Sequence, residues 1–149
     1  MNLFLGEGRV GQQFPFPKVL NQEEIQMIDM ITEPVTRATK DLIDPLRFDQ
    51  NEKFDDKLWD TLKELGSFGT SIPPEYGGAG LKASQFALLS QILGRQDLSL
   101  CIALGAHQSI GLKGIIMFGT EEQRQKYLPD LATGKKIACF CLTEPSAGN

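Results

Sequence analysis

A chain of 149 residues, 41% hydrophobic and 23% charged, is long enough to bury one core and has an ordinary globular balance. Its 15 Lys and Arg against 19 Asp and Glu leave a net charge of −4 with no basic cluster, which argues against nucleic acid as the main partner. The three cysteines, Cys101, Cys139 and Cys141, are odd in number and lie in apolar runs, which points to a reducing compartment without a disulfide framework. Cys139-x-Cys141 lacks the second ligand pair of a zinc site, so no metal is expected.

The opening residues read as neither a signal peptide nor an Arg-rich transit segment. Residues 1–17, with Phe14-Pro15 and Phe16-Pro17, are expected to form an ordered arm. A first helix is predicted from Asn21, with Glu24 completing a capping box. Ile25, Ile28, Ile31, Val35, Ala38 and Leu42 follow at three- and four-residue steps as one apolar face. Pro34 is expected to kink or divide this helix near Glu33, and Pro45 to stop it. A second helix starts at Asp55 or Asp56, buries Leu58, Leu62 and Leu65, and ends at Gly66. Phe68–Leu81 contains Pro73-Pro74 and Gly77-Gly78-x-Gly80 and reads as a loop. A third helix is capped by Ser84 and turns Phe86, Leu89 and Leu93 inward.

The fourth helix, Leu98–Phe118, is apolar nearly all round, as a central buried helix would be. Its Ser99, His107, Gln108, Ser109 and Lys113 argue against a membrane span. Thr120-x-x-Gln123 is a capping box that opens a fifth helix. Tyr127, Leu128 and Leu131 face the core, and Thr133-Gly134 ends the helix. Ile137–Leu142 reads as a buried strand. That strand has no partner within the sequence, so a β-domain is expected to follow it. After it, Thr143-Glu144-Pro145 breaks into a Pro/Ser/Gly loop. Such a loop exposes consecutive backbone N–H groups beside a hydroxyl, which suits the polar edge of a planar cofactor and a phosphate.

The run Phe140-Cys-Leu-Thr-Glu-Pro-Ser-Ala-Gly-Asn149 closely resembles the flavin-binding signature of the acyl-CoA dehydrogenases. It departs from that pattern at Asn149, where Ser or Thr is usual. Other stretches resemble the same family in the correct order. They are Leu65-Gly-Ser-Phe-Gly69 leading into Ile72-Pro-Pro-Glu-Tyr-Gly-Gly-Ala-Gly80, Gly119-Thr-Glu-Glu-Gln-Arg-Gln-Lys-Tyr-Leu-Pro129, and Leu131-Ala-Thr-Gly134. Ala106-His-Gln-Ser-Ile-Gly-Leu-Lys-Gly114, with the Phe14-Pro-Phe-Pro17 entry, is most similar to the very-long-chain branch.

The resemblance implies a mainly α fold: the N-terminal helical bundle domain of the acyl-CoA dehydrogenase fold, ending in the first strand of a β-domain. Residues 1–20 would be an arm, 21–136 the helical domain, and 137–149 the start of the β-domain. The implied reaction is the α,β-dehydrogenation of a long- or very-long-chain fatty acyl-CoA in fatty acid β-oxidation, in which a carboxylate removes the α proton and the β hydrogen leaves as hydride to the flavin of FAD. Thr143 would hydrogen-bond the flavin pyrimidine edge, and Phe140, Cys141 and Leu142 would face the ring. Glu144 and Pro145 belong to the same signature. Ser146, Ala147, Gly148 and Asn149 would lie near the flavin diphosphate, with Asn149 also near the acyl-CoA substrate. The family's catalytic base is a Glu of the C-terminal domain that nothing here matches, so this stretch by itself is expected to be inactive. Further implied are a homodimer, electron transfer to an electron-transfer flavoprotein, mitochondrial localisation, and peripheral association with the inner membrane through regions outside the chain.

Each feature also has a plainer reading. Glu144 reads better as a carboxylate pinning its loop than as a base, because no partner positions it. His107 reads as a satisfied core histidine, and Cys101 as a small core residue. The Gly77-Gly78-x-Gly80 loop lacks the following Lys-Ser/Thr of a phosphate cradle and is taken as a turn. Gly105, Ala106, Gly111 and Gly114 on the fourth helix allow two explanations: close packing, or a cavity for a long acyl chain. A short non-catalytic helical module that binds family members or assembly partners is the alternative to an enzyme segment.

Overall fold

The computed structural model describes residues 19–146. The predicted arm, apart from its last two residues, and the signature residues Ala147, Gly148 and Asn149 lie outside these described residues. Helix α1 (Gln22–Thr39) begins where its cap predicts. The Asn21 side chain accepts the Glu24 N–H at 2.9 Å, and the Glu24 carboxylate accepts the Asn21 N–H at 2.9 Å. Two otherwise orphaned donors are thereby satisfied. Pro34 does not divide α1, which runs unbroken through it. The carbonyl that Pro34 leaves without a helical donor belongs to Met30, whose side chain is 70% exposed on the solvent side. Its buried face is Ile28, Thr32, Val35 and Thr39. Ile25 and Ala38 are exposed, so the apolar stripe is narrower than the sequence pattern indicates.

Pro45 opens a helix rather than stopping one. In α2 (Pro45–Asn51) it occupies the first turn, where its missing N–H costs nothing, and the Asp44 carboxylate accepts the Arg47 N–H at 3.1 Å. Helix α3 (Asp56–Glu64) buries Leu58 and Leu62 completely and gives way at Gly66, whose φ is +69°. A loop with one 3₁₀ turn at Pro74–Tyr76 leads to α4 (Ala83–Gln96). Ser84 is not its cap. The cap is Lys82, two residues earlier, because Gln85 reaches back to accept the Lys82 N–H at 2.9 Å. Gln85 also donates to the Glu24 carbonyl at 3.2 Å, and the Lys82 ammonium bonds the Glu24 carboxylate. That bond holds the Glu24 carboxyl below its ordinary pKa. The start of α4 is thus tied to the start of α1.

The long apolar helix is three pieces: α5 (Leu98–Gly105), a π-helical turn (Ala106–Gly111) and α6 (Lys113–Phe118). It is not buried all round. Leu100, Leu104, His107, Gln108 and Leu112 pack inward, whereas Leu98, Ile102, Ile110, Met117 and Phe118 are exposed. Helix α7 (Glu121–Ala132) starts at the predicted Thr120/Gln123 box and ends before Gly134, φ +70°. Leu128 and Leu131 are buried, but Tyr127 is only partly covered. Ile137–Leu142, read as a buried strand, forms neither helix nor sheet ladder among the described residues. Ile137, Phe140 and Leu142 are exposed. No described strand offers the hydrogen bonds that would order it as one.

Two apolar clusters result. The larger joins α1 to α5 through Val35, Phe48, Leu58, Leu62, Phe68, Leu89, Leu93 and Leu100. The smaller gathers Ile72, Leu112, Leu128, Leu131 and Ala132 around α7.

Candidate functional site

The signature segment leaves the helical body at Ala138, and what holds it there is the π turn. One extra residue in the turn shifts the backbone bond, so that the Leu112 N–H donates to the His107 carbonyl at 3.0 Å, five residues back. His107 is fully buried. Its Nε2 lies 3.1 Å from the Phe68 carbonyl oxygen, and its Nδ1 accepts the Ala138 N–H at 2.9 Å. Those two partners fix the neutral tautomer, with the proton on Nε2. Burial pushes the pKa of His107 down, while the Phe68 and Leu131 carbonyls pull it up less strongly. The Phe68 ring meets the imidazole edge-on at 5.5 Å between centroids.

Gln108, the next residue, is also buried and fully used. It donates to the Ser67 carbonyl at 2.7 Å and accepts from the Ser71 N–H at 2.9 Å and from the Thr70 hydroxyl. The π turn therefore grips the Ser67–Ser71 loop on one side and Ala138 on the other. The plain reading of His107 as a satisfied core histidine holds. Its bond to Ala138 and the bonds of Gln108 were not legible in the sequence. The one available signal was a polar His107-Gln108-Ser109 run inside an apolar helix.

The helix glycines separate into two kinds. A Cβ built on Gly111 would lie 2.6 Å from the carbonyl carbon and from the Cβ of Ala138. Gly111 is small because the outgoing segment lies flat against it, and the cavity reading fails there. Gly105 and Gly114 have nothing within 4 Å of such a Cβ. Gly114 lines an open apolar groove of about 290 Å³ with Ile115, Phe118, Gly119, Gln123 and Tyr127.

Beyond Ala138 the predicted site residues run outward. Phe140, Cys141, Leu142, Thr143, Glu144, Pro145 and Ser146 are all exposed. The Thr143 hydroxyl makes no hydrogen bond to another described residue, and Phe140 and Leu142 leave more than half their surface open. Exposed apolar side chains beside the Thr143 hydroxyl are compatible with a flavin ring and its polar edge. Cys139 and Cys141 sit with their sulfurs 4.0 Å apart. The Cys141 thiol pushes the Cys139 thiol up, which keeps Cys139 protonated and poorly nucleophilic at neutral pH.

The family model for the acyl-CoA dehydrogenase N-terminal domain matches residues 21–135. The human mitochondrial very long-chain specific acyl-CoA dehydrogenase is 48% identical over all 149 residues, which is 23% of its own length. The solved acyl-CoA dehydrogenase of Bacillus anthracis complexed with FAD superposes with a TM-score of 0.70 at 33% identity, covering 95% of this chain and 24% of that one. A chain from the structure of the electron transferring flavoprotein of Acidaminococcus fermentans superposes with a TM-score of 0.72 at 36% identity, covering 89% and 34%. The chain thus spans about a quarter of the length of the curated relatives it matches. By these matches the chain belongs to the acyl-CoA dehydrogenase family, a family of oxidoreductases, through its N-terminal helical domain.

Proposed function

We propose that this chain forms the N-terminal helical domain of an FAD-dependent enzyme that dehydrogenates long-chain fatty acyl-CoA thioesters, in mitochondria if its source is eukaryotic. Residues 21–136 would be the helical domain, and 137–149 the entry to a β-domain. The observation that carries the reading is the exposed Phe140–Ser146 segment, fixed at its root by His107 and open at its tip. FAD would supply electron acceptance in this reaction. Thr143 would orient the flavin edge through its hydroxyl and N–H. Phe140, Cys141 and Leu142 would cover the ring and exclude water from it. Glu144 and Pro145 would set the turn. Ser146, Ala147, Gly148 and Asn149 would approach the diphosphate, with Asn149 also near the thioester end of the substrate. The proton-abstracting carboxylate would come from outside these residues. A homodimer, an electron-transfer flavoprotein as electron acceptor and a peripheral inner-membrane location belong to the same proposal.

The test is to isolate the native product that contains these residues, and to measure its intact mass, its visible flavin absorption and its turnover of acyl-CoA substrates of increasing length. A mass far above 16.5 kDa, with bound flavin and long-chain turnover, is the expected result. A product of 16.5 kDa without flavin would replace this proposal by a non-catalytic helical module.

A further inference from the structure

We infer that His107 and Gly111 together form a positioning device for flavin: the π turn sets where the flavin-facing segment begins, without touching the flavin itself. The inference rests on the proposed function and deepens it. Two independent contacts converge on one residue. The Ala138 N–H donates to His107 Nδ1 at 2.9 Å, and the Ala138 backbone lies where a Cβ on Gly111 would stand, at 2.6 Å. Neither contact is needed to close the helix, whose own π bond runs between Leu112 and His107. The other face of the imidazole is committed to the Phe68 carbonyl, and Gln108 locks the same loop at Ser67, Thr70 and Ser71.

The turn is therefore a rigid bracket between the helical core and residue 138. Phe140, two residues on, and Thr143, five residues on, inherit their position from it. The π turn brings Nδ1 of His107 and the bare Cα of Gly111 to the same residue of that segment, while Nε2 stays on the Phe68 carbonyl.

The native enzyme carrying these residues provides the test, with amide hydrogen exchange and flavin binding as separate readouts. His107→Phe keeps an aromatic ring, somewhat larger, at the edge contact but removes both hydrogen bonds. His107→Asn keeps an acceptor near the Nδ1 position. Gly111→Ala attacks the same contact from its other side and leaves the histidine intact. In His107→Phe and Gly111→Ala, exchange at Ala138 and across Phe140–Thr143 should rise about tenfold, with α1 to α4 unchanged. The flavin absorption envelope should shift, and FAD should dissociate about tenfold more readily. His107→Asn should restore most of both.

Unchanged exchange at Ala138 in His107→Phe and Gly111→Ala would overturn the bracket itself. Faster exchange with wild-type flavin spectrum and affinity would overturn its positioning role. If His107→Phe unfolds, Gly111→Ala decides alone by the same two readings. Failure of the underlying flavin reading is recognised separately, since the unsubstituted protein would then hold no FAD.

Discussion

Thr143 and His107 show how differently two polar residues are employed. Thr143 presents a hydroxyl with no hydrogen bond to another described residue. If it binds flavin as proposed, Thr143→Ala should raise the FAD dissociation constant about five- to tenfold and leave the unfolding midpoint unmoved. A flavin titration beside a thermal melt checks both halves. His107 is the reverse case, because its charge state acts on the fold. Its folded pKa lies below the ordinary histidine value through burial, so at neutral pH neither folded nor unfolded chain carries the charge. Below about pH 6.5 the unfolded chain takes up a proton that the folded chain refuses. Stability is therefore complete above that value and falls as the pH drops toward the lowered folded value, by at most about 1.4 kcal/mol per pH unit. The lowered Glu24 and Asp130 carboxyls act in a separate, more acidic window, beginning near their ordinary values of 4.5 and 3.8. Urea unfolding at pH 7.5 and pH 5.5 should show the loss in the wild type, and His107→Phe should abolish the difference between the two.

Among the elements, the ends were more legible than the faces. Asn21/Glu24 and Thr120/Gln123 are local bonds between residues three apart, and Gly66 and Gly134 are single positions with positive φ, so short sequence windows contain them. Pro45 was legible only as a boundary, since whether a proline ends one helix or opens the next depends on the Asp44 carboxylate turning toward Arg47. Ser84 lost its role to Gln85, whose reach to Lys82 also serves the distant Glu24. The π turn was not legible, because it follows from what His107, Gln108 and Gly111 meet far away in the sequence. The signature motif supplied the candidate site residues, while their root at Ala138 needed the fold. Gly105 belongs to this scale as well. It closes α5 with open space beside it. Gly105→Ala should raise helix stability by up to about 1 kcal/mol. If the space receives an acyl chain, Gly105→Leu in the native enzyme should move the turnover optimum to shorter acyl-CoA substrates, whereas an unchanged chain-length profile would end the cavity reading at that position.

For the molecule as a whole, the division into two clusters matters more than either cluster alone. A row of rings crosses from one toward the other: Phe48, Phe54, Trp59, Phe68 and His107, with successive centroids 5.4, 5.8, 5.1 and 5.5 Å apart. Beyond that row the smaller cluster depends on a few residues of α7 and the loop at Ile72. Native-state hydrogen exchange should resolve two levels of protection, with α7 opening at lower free energy than α3 to α5. Uniform protection across the chain would contradict a divided core. The Tyr76 hydroxyl donates to the Glu121 carboxylate at 3.0 Å, inside the smaller cluster against which Tyr76 packs. It acts as a clasp between α7 and the Ile72 loop, so a protease should nick a Tyr76→Phe chain near Gly119 sooner than the unsubstituted chain, with the larger core cut no faster.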